Sequence, residues 1–155
     1  MSTHPVGKLV AVGGKPIHYL DIGQGTPLVL LHGGGPGASG WSNYNRNVDA
    51  LSARFRLIIP DLPGYGRSFK DPIDGPRYAA YAAAMRGLLD TLGIAKTHVV
   101  GNSLGGGTAL QLVLETPERV DKLILMGPAG LVSAYTKLPT EGARLIFEYY
   151  SGDGP

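Results

Sequence analysis

The chain has 155 residues, enough for one ordinary domain, and 43% of them are hydrophobic, enough for a packed core. Its 14 Lys and Arg and 12 Asp and Glu give a net charge of +2 with no basic stripe, so no nucleic-acid partner is expected. The absence of cysteine excludes disulfides and thiolate metal sites. The apolar runs are short and the first residues lack a signal-peptide core, so we expect a cytoplasmic protein without a membrane partner.

The first third of the chain predicts a β-hairpin, a buried strand and a helix. "KLVAV" and "KPIHYLDIG" flank two glycines, the pattern of a two-residue hairpin turn. "TPLVLLH" is a continuous apolar run that ends in glycines, as in a strand buried on both faces. "WSNYNRNVDAL" predicts one helix because four apolar residues recur at helical spacing: Trp41, Tyr44, Val48 and Leu51.

Three more buried strands are predicted in the rest of the chain, at "FRLIIPDLPG", "THVVGNS" and "DKLILMGPAG". A helical stripe that stops before Gly93 lies between the first two, and a helix from Leu104 to Glu115 follows the second. Strands that alternate with helices indicate an α/β fold with a mostly parallel sheet. After Gly130, a loop and a helix from about 140 to 150 predict a second subdomain, so residues 1–130 are separated from 131–155.

Glycine-rich or polar segments follow the four buried strands: "HGGGPG", "DLPGYGRS", "GNSLGGG" and "GPAG". Ligands of parallel α/β sheets bind at the carboxyl ends of the strands. We therefore expect these segments to meet at one edge of the sheet and to form the site there.

The third of these segments contains G-x-S-x-G at residues 101–105, between a predicted strand and a predicted helix. This is the pattern of a nucleophile elbow, a sharp turn that exposes the serine in a strained backbone conformation. Gly101 and Gly105 remove side chains that would collide at the turn, and Gly106 and Gly107 are expected to let the helix pack closely on the sheet. A glycine-rich turn that binds phosphate is the alternative, but neither phosphate-binding glycine motif occurs.

A serine that performs acyl transfer needs two N–H donors for the developing oxyanion. One is usually the residue after the serine, here Leu104, and the other comes from the loop after an earlier strand. "HGGG" at residues 32–35 lies in that place. His32 precedes Ser103, the wrong order for a catalytic base of this fold, so we expect it to hold the loop by hydrogen bonds. His98 begins its strand and so lies at the end of the sheet away from the site.

The segments "LLHGGGPGASGWSNYNRN", "DLPGYGRS", "GNSLGGGTAL" and "LILMGPAGL" resemble the α/β-hydrolase fold. Within it, they resemble the meta-cleavage product hydrolases of bacterial aromatic-ring degradation. The resemblance implies hydrolysis of a carbon–carbon bond in a 2-hydroxy-6-oxo-dienoate, a small-molecule substrate, with no cofactor and no metal. It also implies that Ser103 is the nucleophile and that the N–H groups of Gly34 and Leu104 form the oxyanion hole.

The same resemblance implies that Gly35, Asn43 and Asn102 contact the carboxylate and the 2-oxo or 2-hydroxy end of the dienoate. Two alternatives stay open: Asn102 can cap its own turn, and Asn43 can cap the helix that starts near Trp41. Asp61 and Arg67 are expected to brace the loop after the second buried strand and are left out of the catalytic set.

The family's catalytic triad also needs an Asp and a His from later strands, and no histidine follows Ser103 in this sequence. A serine without a base is a poor nucleophile at neutral pH. We therefore expect the chain to be the N-terminal part of a larger enzyme and nearly inactive alone, with a C-terminal half that supplies the Asp and the His. Residues 131–155 would begin its cap, and "KLILM" would be an exposed apolar edge.

The resemblance also suggests a homo-oligomer. Two other functions remain open from the sequence. One is a serine esterase or other acyl hydrolase of the same fold, and the other is a non-catalytic remnant that acts as a binding module.

Overall fold

In the computed structural model, residues 5–131 and residue 141 are described, and they contain one sheet of six strands. The strands are β1 Lys8–Val12, β2 Lys15–Ile22, β3 Thr26–Leu31, β4 Phe55–Pro60, β5 Thr97–Asn102 and β6 Val120–Met126. Their order across the sheet is β1-β2-β4-β3-β5-β6. β2 is antiparallel to both β1 and β4, and the other neighbours are parallel. The mostly parallel α/β sheet is thus confirmed.

The β1–β2 hairpin turns through Gly13 and Gly14, whose φ angles are 56° and 79°. Positive φ at both turn residues is the geometry of the tight turn that matches the twist of a hairpin. The two-residue turn predicted from the sequence is confirmed.

The helices are α1 Gly40–Tyr44, α2 Val48–Ser52, α3 Arg77–Thr91 and α4 Leu104–Glu115. Alternate residues of β3 point to opposite faces, as the period of two in a strand requires. Val29 and Leu31 join a core cluster with α3 and α4, while Leu28 and Leu30 join a second cluster with α1 and α2. The sheet is therefore covered on both faces, which explains the continuous apolar run of β3.

The single helix predicted for "WSNYNRNVDAL" is wrong, because the structure has two short helices there, α1 and α2. The Asn45 side chain donates to the carbonyl oxygen of Trp41 at 2.8 Å, and Asn47 N–H donates to Tyr44 O, also at 2.8 Å. Asn45 N–H keeps the helical bond to Trp41 O at 3.0 Å, so the regular helix ends only where Asn47 N–H turns to Tyr44 O. Asparagine disfavours helix interiors. Although the helix is interrupted, its four apolar residues pack in the same core cluster: Trp41, Tyr44, Val48 and Leu51.

The prediction of a fourth buried strand is also wrong within the described residues, since no residue of β6 is buried. β6 lies at the edge of the sheet, with only β5 beside it. Ile124 is 59% exposed and Met126 is 42% exposed. The prediction of an exposed apolar edge agrees with this burial.

The four strand ends do meet at one edge of the sheet. Leu62 N–H, after β4, donates to His32 Nε2, after β3, at 2.9 Å. Ala129 N–H, after β6, donates to the carbonyl oxygen of Ser103, after β5, at 2.8 Å. The helix expected from about 140 to 150, and with it the division at 131, lies outside the described residues apart from residue 141. None of the described helices has both the length and the apolar character needed to cross a bilayer.

Candidate active site

Ser103 forms a sharp turn between β5 and α4. Its φ of 49° and ψ of −110° make it the one non-glycine residue with positive φ in the described part of the chain. Backbone hydrogen bonds hold it there: its N–H donates to Met126 O at 2.9 Å, and its carbonyl oxygen accepts from Gly107 and Ala129. A non-glycine residue persists in such a conformation only where the surroundings determine it, and such residues cluster at functional sites.

The glycines on either side of Ser103 allow this turn. A Cβ on Gly101 would lie 2.5 Å from the carbonyl oxygen of Gly105, and one on Gly105 would overlap the carbonyl oxygen of Leu31. These obstacles are backbone atoms, which cannot rotate away as a side chain would. The predicted steric role of both glycines is confirmed.

Of the next two glycines, one agrees with the prediction and one differs from it. A Cβ on Gly106 would lie 2.8 Å from Pro128 Cα, and one on Gly107 would meet the ring of Tyr78, 2.5 Å from its Cε1. A Cβ on Gly106 would also lie 3.2 Å from Gly101 O of β5, so the expected close packing on the sheet holds at Gly106. Gly107 instead gives room to Tyr78 of α3 and to Ala129 after β6.

His32 is fully buried and fixes the loop that follows β3. Its Nε2 accepts from Leu62 N–H at 2.9 Å, and since a backbone N–H can only donate, the ring proton must be on Nδ1. Nδ1 then donates to Gly33 O at 2.7 Å. Burial is the largest influence on the pKa of His32 and lowers it, which favours this neutral form. His32 is a structural donor and acceptor, as predicted.

This bond also sets the direction of the next N–H group. The described residues contain no cis peptide, and in a planar trans peptide the C=O and N–H groups point in opposite directions. Because Gly33 O points to His32, Gly34 N–H points away from it. Within the described residues, neither Gly34 N–H nor Leu104 N–H has a protein acceptor. A Cβ placed on Gly34 would lie 3.7 Å from Leu104 Cβ, so the two residues are neighbours.

The side chains of Asn43 and Asn102 meet beside this loop. Asn43 Oδ1 accepts from Gly33 N–H at 3.0 Å and from Asn102 Nδ2 at 2.9 Å. Because Gly33 N–H must donate, the Asn43 atom facing it is the oxygen, and the Asn102 atom facing that oxygen is the nitrogen. Asn43 Nδ2 and Asn102 Oδ1 have no partner among the described residues. The pair thus presents one donor and one acceptor.

Helix α1 positions the Asn43 side chain, and a residue other than Asn43 caps this helix. Ser39 caps the helix, accepting from Ser42 N–H at 3.1 Å. The Tyr44 hydroxyl donates to Leu31 O at 2.8 Å and ties the end of α1 to the end of β3. The alternative that Asn43 caps this helix is therefore wrong, and so is a local capping role for Asn102, whose amide reaches Asn43.

Asp61 braces the loop after β4, as predicted. Its carboxylate accepts from Gly40 N–H, Arg67 N–H and His18 Nδ1, each at 2.8 Å. Arg67 takes part through its backbone, so its guanidinium is not needed for the bracing. His18 is a buried partner of Asp61.

The structure places no candidate base beside Ser103 within the described residues. His18 contacts Asp61, and His32 is held between Gly33 and Leu62. His98 Nδ1 lies 3.3 Å from Asp121 Oδ2 at the amino end of β5, as expected from its place in the strand. No group of three or more His, Asp or Glu side chains in the described residues could hold a metal ion.

Gly35 and Tyr65 complete the surroundings of the loop after β3. Gly35 is exposed with φ of 126°, a value that side chains rarely adopt. The Tyr65 hydroxyl lies 3.2 Å from the position of a Cβ on Gly34, and the Tyr65 ring meets His32 edge to face at 5.3 Å. Sequence reasoning missed Tyr65, because "DLPGYGRS" carries no signal that its aromatic residue faces this loop.

A family model described as alpha/beta hydrolase fold matches residues 26–154 of this chain. The 2-hydroxy-6-oxo-6-phenylhexa-2,4-dienoate hydrolase of Burkholderia cepacia is 50% identical over 137 residues, which cover 87% of this chain and 48% of that protein. The 2-hydroxy-6-oxononadienedioate/2-hydroxy-6-oxononatrienedioate hydrolase of Comamonas testosteroni is 49% identical with the same coverage.

Solved structures agree with these sequence matches. A meta-cleavage product hydrolase from Pseudomonas fluorescens IP01 superposes with a TM-score of 0.82 at 36% identity, covering 97% of this chain and 52% of that one. The 2-hydroxy-6-oxo-6-phenylhexa-2,4-dienoate hydrolase of a Rhodococcus strain gives a TM-score of 0.81 at 38% identity, covering 93% and 53%. The chain spans about half the length of the relatives it matches.

Proposed function

The chain belongs to the alpha/beta hydrolase fold family, and from this membership we propose that it carries the nucleophile of a hydrolase that cleaves a carbon–carbon bond in 2-hydroxy-6-oxo-dienoates. The observation that carries the proposal is the backbone of Ser103, with its φ of 49° between β5 and α4. The names of the similar proteins support this substrate class, since they share the 2-hydroxy-6-oxo-dienoate unit and differ in the group beyond C6.

In this proposal, Ser103 Oγ attacks the C6 carbonyl and the oxyanion accepts from Gly34 and Leu104. Two features support these donors: the bond between Gly33 O and His32 directs Gly34 N–H away from His32, and neither N–H has another acceptor in the described residues. Preorganised donors of this kind are usually the largest single contribution to such catalysis.

The side-chain amides of Asn43 and Asn102 are suited to bind the carboxylate and the 2-hydroxyl of the dienoate. Asn102 Oδ1 accepts from the 2-hydroxyl of the dienoate, and Asn43 Nδ2, with the backbone of Gly35, donates to its carboxylate. Ketonisation first moves the hydroxyl proton to C5. The electron pair of the C5–C6 bond can then leave into a conjugated dienolate that ends on the C2 oxygen, and water hydrolyses the acyl group. Because the donor on Asn43 and the acceptor on Asn102 are held in place, they orient the enol form of the substrate for this reaction.

We also propose that the base and acid partners of Ser103 come from residues outside the described part of the chain. The three histidines of that part are engaged elsewhere, and the chain spans about half the length of its relatives. Accordingly, we expect the 155 residues alone to cleave dienoates very slowly.

The first experiment measures whether Ser103 is reactive. When the C-terminal half of a similar hydrolase is supplied, a fluorophosphonate probe should label the wild type at Ser103 and leave Ser103→Ala unlabelled, as intact and peptide mass spectrometry will show. Absence of labelling even when the C-terminal half of a similar hydrolase is supplied would support a non-catalytic binding module instead.

The second experiment separates the carbon–carbon hydrolase from an esterase. With the C-terminal half of a similar hydrolase supplied, dienoate cleavage, followed as loss of visible absorbance, should fall about tenfold or more in Asn102→Ala, whereas hydrolysis of a simple ester should fall much less. Asn45→Ala is the matched control, because Asn45 is exposed and bonds only to carbonyls of α1. Equal losses on both substrates would remove the selective role of Asn102.

A further inference from the structure

The side chain of Tyr65 lies beside the proposed oxyanion hole, and the reaction proposed above does not use it. Its hydroxyl is 3.2 Å from the position that a Cβ on Gly34 would occupy, and Leu104 Cβ is 3.7 Å from the same position. Gly34 and Leu104 carry the two proposed N–H donors. The Tyr65 hydroxyl therefore stands next to both residues that would bind the oxyanion.

The backbone and the ring of Tyr65 are both held in place. Its N–H donates to Leu62 O at 2.9 Å, and its carbonyl oxygen accepts from Ser68 N–H at 3.1 Å and from Lys70 Nζ at 2.7 Å. Its ring meets the fully buried His32 edge to face at 5.3 Å. A ligand that binds this hydroxyl therefore loses little free energy in ordering the side chain.

The hydroxyl of Tyr65 is also available to a ligand, since it has no hydrogen-bond partner among the described residues. Tyr65 lines a cleft of about 910 Å³, and Gly35 lines the same cleft. Because Gly35 directly follows Gly34, the cleft reaches the border of the proposed oxyanion hole. A tyrosine hydroxyl without an acceptor in the protein is suited to donate to an oxygen of a ligand.

The charged side chains around this hydroxyl favour a negative oxygen. Arg77 lines the cleft and has no acidic partner among the described residues. Lys70 lines it as well, and its ammonium group donates to three carbonyl oxygens, which leave its charge uncompensated. Asp71 is the one acidic residue among the described residues of the lining, and it is paired with Lys15 at 3.4 Å. The excess of positive charge stabilises an anion that forms nearby.

Tyr81 is the second tyrosine that lines the cleft, and it differs from Tyr65 in its position. Its side chain is only 3% exposed, and its hydroxyl also has no partner among the described residues. The three atoms nearest to a Cβ on Gly34 belong to Tyr65 and Leu104, so the hydroxyl that adjoins Gly34 is that of Tyr65. Tyr81 thus provides a control with the same chemistry at another place.

Resting on the proposed function, we propose that Tyr65 is a further catalytic residue, whose hydroxyl donates a third hydrogen bond to the C6 oxyanion. When Ser103 Oγ attacks C6, the electron pair of the carbonyl bond moves to the C6 oxygen. Tyr65 keeps its own proton and shares it with that oxygen. Hydrogen bonds to charged groups are stronger than those to neutral ones, so the bond strengthens as the oxyanion forms. Tyr65 therefore acts on kcat more than on KM.

The kinetic test supplies the C-terminal half of a similar hydrolase and compares Tyr65→Phe with Tyr81→Phe. Tyr65→Phe should lower kcat about tenfold or more for a dienoate and for a simple ester, with little change in KM, because both reactions form an oxyanion. Tyr81→Phe should keep the wild-type kcat. The urea midpoint of Tyr65→Phe should equal that of the wild type, since the ring that contacts His32 is retained. Wild-type kcat in Tyr65→Phe, or equal losses in the two variants, would overturn the proposal.

A second measurement observes the oxyanion directly in the same complemented protein. A trifluoromethyl ketone adds to Ser103 Oγ as a hemiketal, and fluorine NMR across a pH series gives the pKa of the hemiketal hydroxyl. Tyr65→Phe should raise this pKa, so that the hydroxyl becomes about tenfold less acidic. An unchanged pKa would mean that the loss of kcat has a structural cause, which would also overturn the proposal.

These measurements separate the third donor from the proposed function. A wild type that hydrolyses esters but not dienoates, with a tenfold slower ester reaction in Tyr65→Phe, would contradict carbon–carbon cleavage while the third donor stands. Dienoate cleavage at equal rates by the wild type and Tyr65→Phe would contradict the third donor alone.

Discussion

Ser103 combines two demands on a single residue, a side chain that reacts and a backbone that serine tolerates poorly. Its φ of 49° and ψ of −110° are held by bonds to Met126, Gly107 and Ala129. The carboxyl end of β6 thus stabilises the turn through backbone atoms, whatever side chains stand there. These bonds therefore hold the backbone of Ser103 in a strained conformation.

This strain can be measured by comparing two variants that both lack the hydroxyl. We expect Ser103→Gly to be more stable than Ser103→Ala by about 1 kcal/mol, because glycine adopts positive φ without strain. This gain exceeds the opposing effect, which is the larger conformational entropy that glycine loses on folding. Urea unfolding followed by circular dichroism gives both free energies. Equal stability of the two variants, or a more stable Ser103→Ala, would show that the turn is not strained.

At the scale of secondary-structure elements, His32 joins the end of β3 to the segment after β4. It does so only in its neutral form, because Nε2 must accept from Leu62 N–H while Nδ1 donates to Gly33 O. Protonation would put a hydrogen on Nε2 and break the bond to Leu62. The link between β3 and the segment after β4 therefore depends on the protonation state of His32, whereas the bond from Nδ1 to Gly33 O is possible in both forms.

The lowered pKa of His32 predicts a loss of stability in acid. The unfolded chain takes up a proton near pH 6.5, but the folded chain does so only at lower pH. Stability is therefore complete above about pH 6.5 and falls as the pH decreases toward the folded pKa. We expect the urea midpoint to fall between pH 7.5 and pH 5.5 in the wild type and to fall less in His32→Gln.

His98→Gln is the control for this pH series, since His98 lies at the opposite end of β5. It should keep the wild-type response. An acid response of His32→Gln as steep as that of the wild type would place its origin in another group.

At the scale of the whole molecule, the two faces of the sheet are covered by different helix pairs, but the edge at β6 is open in the described residues. Ile124 is paired in register with Val100 of β5, whose side chain packs at the border of the core cluster under α1 and α2. Those helices cover the middle of the sheet, and Ile124 stays 59% exposed. Unpaired strand edges with apolar side chains favour association between chains.

We therefore expect the 155-residue chain to self-associate through β6 in a concentration-dependent manner, measured by sedimentation velocity. Ile124→Lys should reduce this association, since a charge on an edge strand opposes pairing with another chain. Leu114→Lys is the matched control, because Leu114 is 77% exposed and belongs to α4 rather than to the edge strand. Equal effects of the two substitutions would indicate nonspecific hydrophobic association instead.

The sequence by itself determined the strands, the long helices and the position of the turn at Ser103. These features depend on local patterns: apolar runs for strands buried on both faces, helical spacing in α3 and glycines around the serine. Prediction from the sequence failed where the structure depends on an interaction that the hydrophobic pattern does not encode. The regular helix ends after Asn45, where Asn47 N–H turns to Tyr44 O. β6 has an apolar sequence but no second neighbour within the described residues.

Only the tertiary structure decided which polar atoms face each other. Asn43 and Asn102 are 59 residues apart, and Leu62 is 30 residues from His32. No local pattern encodes these contacts, because they depend on how α1 docks and on how β3, β4 and β5 align. The physical reason is that backbone propensities act over a few residues, whereas the direction of a hydrogen bond is set by the packing of distant segments.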